Sequence, residues 1–197
     1  MSDESMRTTR RILWHDPDMP STEVCTLIDE PGQKRMAGTV LTVRPGEPVE
    51  IRYELVCDAS WRTRACTVDV EGASTRERIA LMVGEDGVWK RDGVPVPDLA
   101  AGAPYVDLGF SPCTNTLPIR GLTLEAGQSA RITVAWLRFP ELDLVRAEQV
   151  YTHLSGSRYR FETGDGDFGA ELDVDPHGIV TRYGSYWREV PPPDQLS

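Results

Sequence analysis

Two arginines, Arg62 and Arg64, sit two residues apart in Trp61-Arg62-Thr63-Arg64. On a strand that spacing puts both guanidiniums on one face. Side by side they could clamp a phosphate, sulfate or carboxylate, or simply pair with acidic neighbours such as Asp58 or Asp107. Gln149, Tyr151 and His153 also alternate and would share a polar-aromatic face, suited to a ligand head group or to water. A third candidate lies in Asp107–Leu122, where Pro112 and Pro118 remove backbone donors and Thr114-Asn115-Thr116 offers compact side chains that bind nearby backbone. This segment reads as a shaped loop, neither helix nor strand. It is either a tight corner or the wall of a site. Asp107 and His153 could converge as an acid–base pair.

Other chemistries lack their signatures. The sequence holds no Gly-x-Ser-x-Gly elbow, no His-Glu-x-x-His and no P-loop. Asp165-Gly166-Asp167-Phe168-Gly169 lacks the third ligand and the later Glu of a calcium loop, so it reads as a turn. Cysteines at 25, 57, 66 and 113 have no zinc-ligand spacing. No metal and no cofactor is expected. Tryptophans 14, 61, 89, 136 and 187 can stack sugar rings, line acyl tunnels or pack the core.

The elements that must position these groups read as strands. Val49, Ile51, Tyr53 and Leu55 alternate strictly, as do Ile132, Val134 and Trp136. Further strands are predicted at 10–14, 22–29, 36–42, 64–71, 78–84, 87–90, 146–154, 157–163, 168–174 and 179–187. Turn pairs such as Pro45-Gly46, Asp86-Gly87 and Ala126-Gly127 separate them. A helical turn fits only near 95–101. Leu41–Tyr53 matches Leu122–Val134 residue by residue around Gly46 and Gly127. Two β-meanders, about 10–105 and 118–190, are therefore expected within one domain of 1–197. A connecting loop, 106–117, joins them, and 191–197 forms a disordered tail. A ligand site is expected at the seam.

Thirty-one acidic against 21 basic residues give a net charge of −10, which disfavours nucleic acid and anionic membrane surfaces. The first residues are polar, and no apolar run approaches the ~20 residues of a membrane helix. A cytoplasmic protein with reduced thiols and no stable membrane insertion is the expectation.

Several blocks carry a resemblance: Tyr53-Glu54-Leu55, Cys57-Asp58 and Trp61–Arg64; Asp86-Gly87-Val88-Trp89; Val106-Asp107-Leu108 with Thr114–Arg120; Gln149-Val150-Tyr151-Thr152; and Asp175 with Gly178-Ile179-Val180. In this order they resemble a bacterial family of glycolipid-binding proteins, formerly a domain of unknown function. The family pattern has Gly and Cys where this chain has Ala103 and Tyr105, Phe at Cys113, and a second Arg at Gly121. The resemblance implies a half-barrel of the lipoprotein-carrier kind and a lipid-like ligand.

The combined reading is an all-β, antiparallel, internally duplicated curved sheet or half-barrel around an apolar cavity. It would bind a small amphiphile, such as a glycolipid or long-chain metabolite. Tyr53, Leu55 and Trp136 would hold the tail. Arg62, Arg64, Asp107, Asn115, Arg120, Gln149 and Tyr151 would complete the site. The alternative is a small β-barrel cyclase or isomerase acting on a hydrophobic biosynthetic intermediate.

Overall fold

In a computed structural model, which describes residues 7–99 and 102–191, the chain forms one open 15-stranded sheet. The first meander comprises β1 (Thr8–Asp16), β2 (Ser21–Glu30), β3 (Gln33–Arg44), β4 (Glu47–Asp58), β5 (Thr63–Gly72), β6 (Arg76–Val83), β7 (Trp89–Arg91) and β8 (Val94–Pro95). A 3₁₀ turn at Pro97–Leu99 leads to β9 (Tyr105–Leu108). After a second 3₁₀ turn, Cys113–Asn115, and helix α1 (Thr116–Leu122), the second meander follows. It contains β10 (Ser129–Leu137), β11 (Leu144–Ser155), β12 (Arg158–Thr163), β13 (Gly169–Val174), β14 (Val180–Tyr183) and β15 (Trp187–Glu189).

The sheet runs β8 to β1, then β15 back to β9, so the two meanders meet where β1 pairs with β15. Pairing is antiparallel except between β9 and β10. The half-barrel is open, not a closed barrel, with β8 and β9 as its edges. The β9 segment instead leans on the start of β5. The Thr63 amide donates to the Pro104 carbonyl (2.9 Å), and the Val106 amide donates to Thr63 Oγ1 (2.9 Å).

Alternation decides which side chains face inward. On β4, Val49, Ile51, Tyr53, Leu55 and Cys57 are buried. On β2 the inward row is Ser21, Glu23, Cys25 and Leu27, which takes a carboxyl into the core. Trp14 and Trp89 are fully buried, and their indole N–H groups donate to the carbonyls of Val180 (2.7 Å) and Ala103 (2.9 Å). Burying such large rings is affordable only because the N–H finds a partner. A smaller cluster of Ile119, Tyr151, Phe161, Leu172 and Val180 closes the second meander.

Three expectations need correction. The segment 106–117, read as a loop, holds most of β9 and the 3₁₀ turn that feeds α1. Pro118 does not break α1, because it is the third helical residue, where the N–H has no intrahelical acceptor to lose. The single strand expected over 179–187 is split into β14 and β15 by a turn in which the Tyr186 amide donates to the Tyr183 carbonyl (2.9 Å). The matching stretches 41–53 and 122–134 share a strand, β4 or β10. They differ in lead-in, which is strand β3 in one and the end of α1 in the other. Apart from residue 191, the expected tail lies outside the described residues. No helix among those residues is long and apolar enough to cross a membrane.

Candidate functional site

A pocket of about 740 Å³ opens between the 109–115 turn and strands β10, β11, β12, β14 and β15. Part of its lining is polar. Asp107, opposite Trp136 in the β9–β10 register, accepts from Gln149 Nε2 (2.7 Å) at Oδ2 and from Thr114 Oγ1 (3.2 Å) at Oδ1. Asn115 sits beside it. Its Oδ1 accepts from the Tyr151 hydroxyl (2.8 Å), while its Nδ2 donates to the Pro112 carbonyl (3.0 Å). The other walls are aromatic: Trp136, Phe161, Phe168, Tyr183 and Trp187. Phe161 and Phe168 lie 6.0 Å apart and Phe168 and Tyr183 6.4 Å apart, all tilted, within reach of edge-to-face attraction.

Asp107 keeps some accessible surface yet is densely surrounded by protein atoms. Burial pushes its carboxyl above the usual range, against the hydrogen bonds from Gln149 and Thr114. Burial, and next the neighbouring Asp107, raises the phenols of Tyr151 and Tyr183. Tyr151 is therefore a donor at neutral pH, which fixes Asn115 Oδ1 as its acceptor.

The structure brings together four of the expected residues, Asp107, Asn115, Gln149 and Trp136, as pocket lining, with Tyr151 directly behind Asn115. It does not bring in the others. Arg62 and Arg64 do share a face, but the exposed one; Arg64 pairs with Asp58 (2.9 Å). Trp61 adopts a left-handed backbone (φ 66°), and with Thr63 it takes the inward positions, so the two-residue period sends both arginines out. Arg120 lies in a separate groove with Tyr159 and Asp175, its guanidinium 5.4 Å from the Trp61 ring centre. Tyr53 is buried, its ring lying against Gly38 on β3 and its hydroxyl donating to Glu23 (2.5 Å). His153 is no partner of Asp107. Its ring stacks on Tyr159 (4.5 Å), and its nitrogens face the carbonyls of Leu124 (2.8 Å) and Gly156 (2.9 Å). Asp165 forms the expected turn, accepting from Thr163 Oγ1 (2.6 Å) and from the Asp167 amide (3.2 Å).

Sequence reasoning missed Phe161, Phe168 and Tyr183, and named Trp187 only as one of five tryptophans that could stack a sugar, line a tunnel or pack the core. The signal was the density of aromatic residues over 159–187.

The fold and pocket define an open, curved, mostly antiparallel sheet protein with an aromatic-walled cleft. The chain belongs to the family described as "Putative glycolipid-binding", whose model matches residues 11–189. A crystal structure of a DUF1089 family protein from Pseudomonas aeruginosa is similar. It shares 32% sequence identity at a TM-score of 0.74, over 85% of this chain and 92% of that one. No curated protein matches the chain.

Proposed function

We propose that the protein binds one small amphiphile with an uncharged polar head, such as a glycolipid or another glycoside-like long-chain metabolite, in the 740 Å³ pocket. The observation that carries this reading is one cleft whose lining combines polar and aromatic side chains. Asp107, Gln149 and Asn115 offer hydrogen-bonding groups, and five aromatic rings offer stacking and apolar surface. The family description supports a lipid-like ligand. The volume suits one drug-sized molecule rather than a polymer.

The lining holds three acids, Asp107, Glu148 and Asp165, against one arginine, Arg146. Arg146 already donates to Thr133 (3.1 Å). A phosphate head would meet net repulsion there, while sugar hydroxyls would find carboxylate and amide acceptors. The anion clamp expected from Arg62 and Arg64 has no part in this reading. Nothing in the family description or in the similar structure's name points to the cyclase or isomerase alternative.

Alkyl glycosides of increasing chain length test the reading. Trp136 and Trp187 line the pocket, so intrinsic fluorescence reports binding. Affinity should rise by ~0.8 kcal/mol per added methylene until the pocket is filled. Alkyl phosphates of equal length should bind more weakly. Equal affinity for both heads, or no saturable binding by either, refutes the proposal.

A further inference from the structure

Beneath the 109–115 turn lies a second group of reactive side chains that the pocket does not use. Glu23 on β2 is 0% exposed. Its Oε1 is well satisfied, accepting from the Tyr53 hydroxyl (2.5 Å) and from Ser111 Oγ (2.8 Å). Its Oε2 is buried and has no hydrogen-bond partner among the described residues. The next inward residue on the same strand is Cys25, and Cys113 comes down from the 3₁₀ turn; both are buried. One carboxylate oxygen of Glu23 and the two sulfurs all lie within 4.8 Å of one another.

An orphaned buried carboxylate oxygen is costly. The same side chain lies beside two soft donors contributed by different parts of the chain. We propose that Glu23, Cys25 and Cys113 form a binding site for a single zinc-class divalent cation. The donor set is one hard oxygen and two thiolates, which suits a borderline-soft ion such as Zn²⁺ and not Ca²⁺ or Mg²⁺, which take oxygen ligands alone. Donors within 4.8 Å of one another reach zinc ligand distances by closing in at most ~0.5 Å for each sulfur and ~0.8 Å for the oxygen.

The surrounding residues fit that role. Tyr53 and Ser111 grip the carboxylate from Oε1, leaving Oε2 for the ion, in the way supporting hydrogen bonds orient metal ligands. The ion neutralises two of the three negative charges of the deprotonated ligands, and the two hydroxyl donors stabilise the remainder. Ser111 lines the pocket while its hydroxyl bonds Glu23, so it sits between the cleft and the buried cluster. A bound ion would pin the turn that carries Ser111 and Asn115 onto β2. Cys57 and Cys66, also buried, have no place in the group and serve as internal controls.

The test uses the full chain, reduced, stripped with a chelator and titrated with Co²⁺. We expect one equivalent to bind with a thiolate-to-cobalt charge-transfer band in the near ultraviolet, and Zn²⁺ to abolish that band. Cys113→Ser and Glu23→Gln should each weaken Zn²⁺ affinity by more than ~100-fold, beyond the loss caused by removing a supporting hydrogen bond. Cys57→Ser should leave it unchanged. Should the Glu23 or Cys113 variant fail to fold, the wild-type chain still decides. Zn²⁺ must raise its melting temperature, as for any ligand that binds only the folded state, and must slow alkylation of Cys25 and Cys113 relative to Cys57 and Cys66. A folded wild-type protein with no charge-transfer band, or a Cys113 variant whose band keeps the wild-type intensity and affinity, overturns the assignment. So does equal protection of all four thiols.

Discussion

The Tyr105 hydroxyl occupies the space that a side chain at residue 121 would need: a β-carbon on Gly121 would lie 2.3 Å from the Tyr105 oxygen. The missing side chain at 121 leaves room for the phenol at 105, so the end of α1 sits directly against Tyr105 of β9.

Gly121→Ala should therefore destabilise the protein, although alanine favours helix by ~1 kcal/mol over glycine. Overpacking costs ~1–3 kcal/mol and wins. In a Tyr105→Ala background the clash disappears and the same change should be stabilising. Urea denaturation of the four proteins in the cycle checks this; additive effects would sever the link.

Asn115 is held by inward contacts to Tyr151 and to the Pro112 carbonyl. Asn115→Ala should cost ~1–3 kcal/mol, because it leaves the buried Tyr151 hydroxyl without its acceptor. Combining it with Tyr151→Phe should cost less than the sum of the single changes. Thermal melts of the double-mutant cycle measure that coupling.

Asp107 gives stability a pH dependence of definite sign. Its folded-state carboxyl titrates above the ordinary value of 3.8, so between that value and its raised one the native state holds more protons than the unfolded chain. Its contribution is most favourable below 3.8 and declines as pH rises through this window. Asp107→Asn should flatten the decline. Denaturation midpoints collected across the window for both proteins decide the matter, and a steeper fall in the variant would contradict it.

Arg64 pairs with Asp58 at the surface, its side chain 47% exposed. Arg64→Ala should cost less than ~1 kcal/mol and leave alkyl glycoside affinity unchanged. Gln149→Ala should weaken that affinity while the protein stays folded. Isothermal titration of both variants separates these outcomes. A binding defect in Arg64→Ala with normal folding would return the arginine pair to the site.

The strands were legible in the sequence because inward positions repeat every second residue, as Val49, Ile51, Tyr53 and Leu55 do on β4. Asp107, Asn115, Gln149 and Trp136 were legible as polar or aromatic residues at unusual places. Helix α1 was not, because two prolines mask a helix in which one proline precedes the first turn and the other falls where its missing N–H costs nothing. The direction of Arg62 and Arg64 was not legible either. It depends on the register shift opposite Val56 and Cys57, which skips Arg64 in β5 and which composition does not announce. Glu23 escaped notice because a strand of ten residues tolerates one polar inward position without losing its pattern.

The meeting of β1 and β15 has a consequence for how the chain assembles. Every other antiparallel pair joins strands that follow one another, so both meanders can grow by local hairpin addition. The β1–β15 pair has only two registered positions, Trp14 with Glu189 and His15 with Arg188, and its outer brace links Arg10 to Glu189 across 179 residues of sequence. Closing so long a loop for so few contacts is entropically late. The seam therefore zips last in folding, and its opening gives the sheet its cheapest route to partial unfolding. In hydrogen exchange, β1 and β15 should release their amides before β4 and β11 do.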